Sequence, residues 1–470
     1  MAIRQSKFSA DLALVDIERR PERTLTARLE GSLRDAIRSR RLREGVALPS
    51  SRHLASELGC SRWVVVQAYE QLIAEGYLQA TQGGATRVCE LSWRAAPQDP
   101  VIEQPVTRYR IDLTAGQPDI SAFPASAWAR ATQTVLASTE WDNLHYIDPS
   151  GIQAFKISVC ELLGRTRGVV AEPEHVHATA GATHAIGLVC RAAARAGHTK
   201  LAVEEPGWPP LRDFASAAGL ELVSIPVDED GIKVEVLERH PDVRMVLVTP
   251  AHQFPTGVVL SAERRQALVH WADAVDGLVL EDAYDAEFRY DKRPVGCLQG
   301  MAPGRVAFVG SSTKLLAPGV RLGWLVLPGL WNRLVVEARE GIDLGVSALV
   351  QLTFAELVDN GQLERHLNRS RRLYRARRAR MLEALDKYLP ALETAGIAAG
   401  LHLLVRLPEG IDEDRLVSEA GRRGVKVYGL GRYDHGTSER RGLVLGYARA
   451  TATSIEDGVR ILAECCAGLE

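Results

Sequence analysis

Leu25, Leu29, Leu33, Ile37 and Leu42 recur at intervals close to one helical turn, the stripe of a helix with one buried face. Two shorter helical patterns follow. Ser51 stands where a cap is needed ahead of Leu54, Ala55 and Leu58, and Gly59 ends that run. Ser61 can cap the next run, whose Val65, Ala68 and Leu72 are spaced i, i+3, i+7. The pattern then changes. Gly76-Tyr77-Leu78 and Thr86-Arg87-Val88 flank a polar turn with Gly83-Gly84, which predicts a small hairpin. Three helices and a hairpin within residues 22–90 predict a mainly-α winged helix-turn-helix.

Residues 91–110 carry Pro97, Pro100 and Pro105 and show no periodic face, so a partly extended linker is expected there. From Ile111 to Glu470 short apolar runs alternate with longer helical stretches. KLAVEEP (200–206), VRMVLVTP (243–250), DGLVLED (276–282), RVAFVGS (305–311) and LGWLVLP (322–328) suit strands covered on both faces, as in a parallel α/β sheet. Beyond about Gly341 the chain turns helix-rich, then strand-like at GLHLLVRLP and GLVLGYA, which predicts a smaller C-terminal α/β subdomain.

The 470 residues exceed the roughly 250–300 at which single cores stop growing, so more than one domain is expected. A hydrophobic fraction of 46% and a charged fraction of 25% are ordinary for a soluble globular protein. The net charge of -2 says little about nucleic acid, but residues 1–90 hold 14 Lys/Arg against 11 Asp/Glu. Arg34, Arg38, Arg40, Arg41 and Arg43 cluster around a single acid, Asp35; a phosphate-facing patch and a solvated helix face fit that cluster equally. The seven cysteines include no C-x-x-C pair, so no metal site is expected and a reducing cytoplasm is. No stretch reaches the roughly 18 apolar residues of a membrane span, and no membrane partner is expected.

The candidate chemistry lies on Lys314, which follows an apolar run and sits after Gly310-Ser311-Ser312-Thr313. A Schiff-base lysine needs a fixed amine, with hydroxyls and a cation nearby to hold a cofactor phosphate. Ser311 offers a hydroxyl, and Arg321 a planar fork suited to phosphate. Asp282 ends the run GLVLE, the place where ligands bind in open α/β sheets, and can keep a pyridine nitrogen protonated. Tyr284 can reach the phenolic oxygen of such a ring. Gly181-Ala182-Thr183 precedes a helical run whose first amides can cradle phosphate, and Trp208 can stack on an aromatic ring. Alone, each has a plain structural explanation: a surface lysine, a strand-end aspartate, a core tryptophan. Together they reverse that weighting.

On these residues the segment from Ile111 onward resembles the fold-type I aminotransferases, which bind pyridoxal 5′-phosphate. The whole chain resembles the MocR subfamily of GntR-family transcriptional regulators, in which a winged helix is fused to such a domain. The matching stretches are IDLTAGQPDISAFPASAWARA (111–131), YIDPSG (146–151), TPAHQFPTG (249–257), EDAYDAEFRY (281–290) and GSSTKLLAPGVRLGW (310–324). The resemblance implies Lys314 as the Schiff-base lysine, Asp282 on the pyridine nitrogen and Tyr284 on the phenolic oxygen. It places Ser311, Arg321, Ala182 and Thr183 on the phosphate and Trp208 on the ring face. Tyr146 would come from the partner subunit of a head-to-tail homodimer. Two positions depart from the enzyme pattern: Phe254 stands where many aminotransferases carry asparagine, and Val444 where they carry a substrate-carboxylate arginine. His252 or Gln253 can substitute for the first, and Arg441 or Arg449 for the second. Lys156 stands where related chains often carry arginine.

In the N-terminal unit Ser51, Arg52, Ser61, Arg62, Trp63 and Arg87 are the candidate contacts to double-stranded operator DNA, with Arg62 and Trp63 opening the recognition helix. Trp63 can meet a thymine methyl or pack on a neighbouring helix. The expected function is a regulator that senses an amine or amino acid, or pyridoxal phosphate itself, by Schiff-base exchange at Lys314. The rival is an active aminotransferase with a fused DNA-binding module.

Overall fold

The computed structural model describes residues 24–81, 84–90, 109–138, 144–291, 295–434 and 440–468. The chain divides into two compact units between Val106 and Thr107.

The first unit has helices Leu25–Arg38, Ser51–Glu57 and Arg62–Ala74, followed by strands β1 (Leu78–Gln79) and β2 (Arg87–Val88) paired antiparallel. Leu29, Leu33 and Ile37 are buried as the stripe predicts, together with Leu42 beyond the helix end, whereas Leu25 is exposed. They pack on Leu54, Val65, Ala68 and Leu72 in one small core. One cap differs from expectation. Ser50, not Ser51, accepts from the His53 amide, and Ser51 is already helical. In a Ser-Ser pair the backbone decides which hydroxyl caps. Ser61 precedes its helix in extended geometry but makes no side-chain cap bond.

The second unit opens with β3 (Ile111–Asp112). The linker expected over 91–110 gives up its last residues to this unit, since the Arg110 amide donates to the Gly424 carbonyl. Residues 91–108 lie outside those described. The central sheet comprises β4 (Val176–Thr179), β5 (Lys200–Glu205), β6 (Glu221–Asp228), β7 (Gly231–Ile232), β8 (Met245–Val248), β9 (Leu278–Asp282), β10 (Val306–Ser311) and β11 (Gly323–Val326). Its order is β4-β11-β10-β9-β8-β5-β6-β7. The run from β10 through β9, β8 and β5 to β6 is parallel, as the continuous apolar runs predict.

LGWLVLP breaks that expectation, because β11 runs antiparallel to both β10 and β4. The segment between β10 and β11, residues 312–322, is at the lower limit for a parallel crossover, and the chain doubles back instead. That return carries Arg321 beside the end of β10. A Cβ on Gly323 would lie 2.8 Å from the Gly181 Cα, so only glycine permits this approach.

The subdomain follows the 27-residue helix Gln362–Tyr388. Its strands are β12 (Thr394–Ala395), β13 (His402–Arg406), β14 (Val425–Lys426), β15 (Tyr428–Gly429) and β16 (Gly442–Gly446). They form the antiparallel order β12-β13-β16-β15, while β14 pairs with β3. Among the described residues no helix is long and apolar enough to cross a membrane.

Candidate functional site

Lys314 lies three residues past the end of β10, in the short helix Ser312–Leu315. Its Nζ donates to the Gly116 carbonyl at 2.5 Å. Burial lowers its pKa, against the pull of Asp285 and Asp282. A lowered ammonium pKa increases the neutral-amine fraction, the form that attacks an aldehyde. The lysine faces a cavity of about 300 Å³. Asp282, Tyr284, Ser311, Arg321, Ala182, Thr183 and Trp208 all line it, so eight of the nine residues expected at the cofactor converge on one place. Tyr146 is the ninth. It is 90% exposed and lines no part of this cavity.

One end of the cavity is built for an anion. The helix Ala182–Arg195 begins there, with Gly181 at its cap in a φ +110° conformation open to glycine. Its first amides have no intrahelical partner. A Cβ on Gly181 would touch the Arg321 guanidinium at 3.6 Å, so cation and helix start lie side by side. Ser311 and Thr183 add hydroxyls to the lining.

Elsewhere on the lining, the Asp282 Oδ1 is buried with no hydrogen-bond partner. Burial pushes its pKa up to about 7, the nearby Lys314 opposing and Asp285 reinforcing. A buried acceptor without a donor costs free energy unless a ligand supplies one. A protonated pyridine nitrogen is such a donor, and pyridoxal phosphate carries its aldehyde para to that nitrogen, with the phosphate arm on the next ring carbon. The residues present fit this group.

Tyr284 is held from behind by groups that sequence reasoning reached only in part. His252 Nδ1 lies 3.1 Å from the Tyr284 hydroxyl and 2.9 Å from Asp285 Oδ2. His252 thus occupies the neighbourhood of the absent asparagine. Gln253 turns away: its amide donates to the Pro206 and Phe254 carbonyls, and its oxygen accepts from Thr256. Asp285 was visible in EDAYDAEFRY but has no periodicity that marks it. Burial and Asp285 raise the Tyr284 pKa well above 10, so the phenol stays protonated. Glu204, also missed, accepts from the Thr249 amide and hydroxyl beside the cavity, and burial raises its pKa to about 7.

The two arginines expected to receive an effector carboxylate do not reach this cavity. Arg441 precedes β16 and lines a separate groove with Tyr109, Glu409, Lys426 and Arg432. Arg449 pairs with Asp112 at 3.0 Å and is half exposed. Val444 itself is fully buried among Leu404, Leu430 and Tyr433, with Phe254 packed against them. Phe254 meets Tyr284 and Tyr433 edge-on, with ring centroids 6.0 and 5.1 Å apart. A buried apolar residue, Val444, stands where the enzyme pattern has a cation.

In the first unit Trp63 is 64% exposed, which removes the packing explanation. Arg62 is exposed and its Nε donates to the Ser51 hydroxyl at 3.2 Å, bringing two candidates together. Arg52 and Ser61 are exposed, and the Arg87 guanidinium holds the Gly45 carbonyl at 2.8 Å. Part of the arginine cluster is used internally: Arg34 forks onto Glu75 and Arg38 onto the Tyr77 hydroxyl.

Fold and site therefore define a class, a winged helix joined to an aminotransferase-type unit. The "Bacterial regulatory proteins, gntR family" model matches residues 25–88, and the "Aminotransferase class I and II" model matches residues 109–419. The pyridoxine biosynthesis transcriptional regulator PdxR of Corynebacterium glutamicum is 34% identical over 86% of this chain and 88% of its own length. The probable rhizopine catabolism regulatory protein MocR of Rhizobium meliloti is 30% identical over 93% of each. Among solved structures, the multiple substrate aminotransferase of Thermococcus profundus superimposes with a TM-score of 0.70 at 26% identity, covering 80% of this chain and 96% of that one. The chain belongs to the MocR subfamily of GntR-family transcriptional regulators. Dependence on pyridoxal phosphate is a property of its aminotransferase fold family.

Proposed function

We propose that this regulator binds pyridoxal 5′-phosphate at Lys314 and reads an incoming amine by exchange at that lysine. The observation that carries the reading is the orphaned Asp282 Oδ1 facing the same cavity as Lys314, Arg321 and the Gly181 helix start. Bound there, the cofactor supplies an electrophilic carbon that amines can occupy in turn. Asp282 would hold the ring nitrogen proton, and Tyr284, steadied by His252, would donate to the phenolic oxygen. Arg321, Ser311, Ala182 and Thr183 would take the phosphate, while Trp208 covers the ring. When it does not hold the cofactor, the Lys314 Nζ would donate to the Gly116 carbonyl, as it does in this structure. A ligand shifts DNA binding only so far as it favours one arrangement over another. The protein would act as a cytoplasmic homodimer, head to tail, each Tyr146 reaching its partner's site. The exposed Arg62 and Trp63 would read base edges of paired half-sites.

Phe254 on the cavity lining is apolar and Val444 behind it offers no cation to an α-carboxylate, which disfavours efficient transamination. A second reading has its own support. The relative PdxR is named for pyridoxine biosynthesis, and the cofactor itself would then be the signal.

The test is incubation with pyridoxal phosphate, borohydride reduction and peptide mapping. Modification confined to Lys314 is expected; modification elsewhere, or none, refutes the site. Multiple turnovers with an amino acid and a keto acid would refute the sensing role.

A further inference from the structure

The phosphate end of the cavity has a support that ligand contact alone does not require. His184 lies in the first turn of the helix Ala182–Arg195, behind the cradle. Its Nδ1 accepts from the Ala180 amide at 3.0 Å, and its Nε2 lies 3.1 Å from Asp343 Oδ2. One tautomer satisfies both contacts: bare Nδ1 accepts, and the Nε2 proton goes to the carboxylate. The ring thereby locks the residue before Gly181, whose backbone sets the direction of the first helical amides.

Asp343 continues the chain of contacts. Its Oδ1 accepts from Arg339 Nε at 2.9 Å and from the Gly345 amide at 2.7 Å. The buried Arg339 also donates to the Ala178 carbonyl on β4 at 2.9 Å. Gly345, at φ +101°, lies so close to the next segment that a Cβ would stand 3.2 Å from the Pro149 Cα. Pro149 belongs to residues 146–151, the stretch that presents Tyr146. That stretch is fixed on its inner side: the Ala178 amide donates to the Ser150 carbonyl at 2.7 Å, and Lys156 Nζ to the Ser150 hydroxyl at 2.5 Å. β4 thus contacts the cradle, Arg339 and residue 150 within a few positions.

We propose that His184 is a positioning residue that sets the Ala180–Gly181 turn for the cofactor phosphate and couples it, through Asp343, to the segment bearing Tyr146. Filling the cradle is then registered at the surface where Tyr146 stands. Coupling of this kind travels through packed and hydrogen-bonded groups with more than one arrangement. The inference rests on the reading of a pyridoxal phosphate site at Lys314.

The experiment uses the full chain as wild type, His184→Ala, His184→Gln and Asp343→Ala, titrated with pyridoxal phosphate and with pyridoxal, which lacks the phosphate. His184→Ala should raise the Kd for pyridoxal phosphate about tenfold, the effect of one hydrogen-bonded support, and leave pyridoxal within about twofold. Glutamine can accept and donate at the same two places, so His184→Gln should restore affinity. Hydrogen exchange supplies the second readout. Cofactor should slow exchange over residues 146–151 in wild type, and that response should vanish in His184→Ala and Asp343→Ala at saturating cofactor. Equal losses for both vitamers, an unchanged Kd, or a preserved exchange response would overturn the proposal. If wild type itself develops no visible absorption with pyridoxal phosphate, the Lys314 site has failed instead.

Discussion

Replacing Asp282 by asparagine removes a charge and keeps the shape, with opposite consequences for stability and for binding. Burial holds the Asp282 carboxyl at about 7 in the cofactor-free protein, whereas in the unfolded chain an aspartate ionises at about 3.9. Between those values the folded protein keeps a proton that the unfolded chain has released, so stability falls as pH rises. The penalty is absent below about pH 4 and complete above about pH 7. Roughly three pH units at about 1.4 kcal/mol each put its ceiling at about 4 kcal/mol. Asp282→Asn, free of cofactor, should therefore match wild type at pH 4 and exceed it at pH 8 by up to that amount, measured by urea unfolding. Cofactor affinity should move the other way. Losing a charged acceptor costs about 1.5–3 kcal/mol, or about 10- to 150-fold in Kd by absorption titration. A variant that binds the cofactor as wild type does, with no pH-dependent gain in stability, would refute the reasoning.

Three further outcomes follow from the same structure. Arg62→Ala or Trp63→Ala should weaken or relax operator selection in a mobility-shift assay while leaving the Kd for pyridoxal phosphate unchanged. Leu72→Ala, at a fully buried position in the winged-helix core, should destabilise that unit by about 2–5 kcal/mol in calorimetry, the usual cost of such a cavity. Gly310→Ala should disturb the Lys314 segment, because a Cβ there collides with the Trp324 indole; loss of cofactor absorption with an intact first unit is the expected result.

What the sequence made legible is what depends on local period and ordered motifs. The stripe from Leu29 to Ile37 marked a real helix face, and the apolar runs marked the central strands. Asp282, Lys314 and Arg321 sit where strand ends and a tight return bring them together, and their spacing carried that information. The direction of β11 was not legible, because its connection is about as long as the shortest parallel crossover. Arg441 and Arg449 were misplaced for a different reason. Being near Val444 in sequence does not settle which face or end of β16 a side chain serves, and Asp112, distant in sequence, claims Arg449. His184 and Asp343 are 159 residues apart, and no local pattern links them. The same holds for His252 and Asp285, whose role emerges only when two loops meet at Tyr284.

The proposed regulator turns on one dependence, that of DNA binding on the state of Lys314. The most direct measurement is operator affinity, on a duplex selected from a random pool by the full chain, with and without pyridoxal phosphate and a panel of amines. Wild type should change affinity with cofactor or with one class of amine, and Lys314→Ala should show neither response. A Lys314→Ala protein that responds as wild type does, or a wild type indifferent to every addition, would contradict the account.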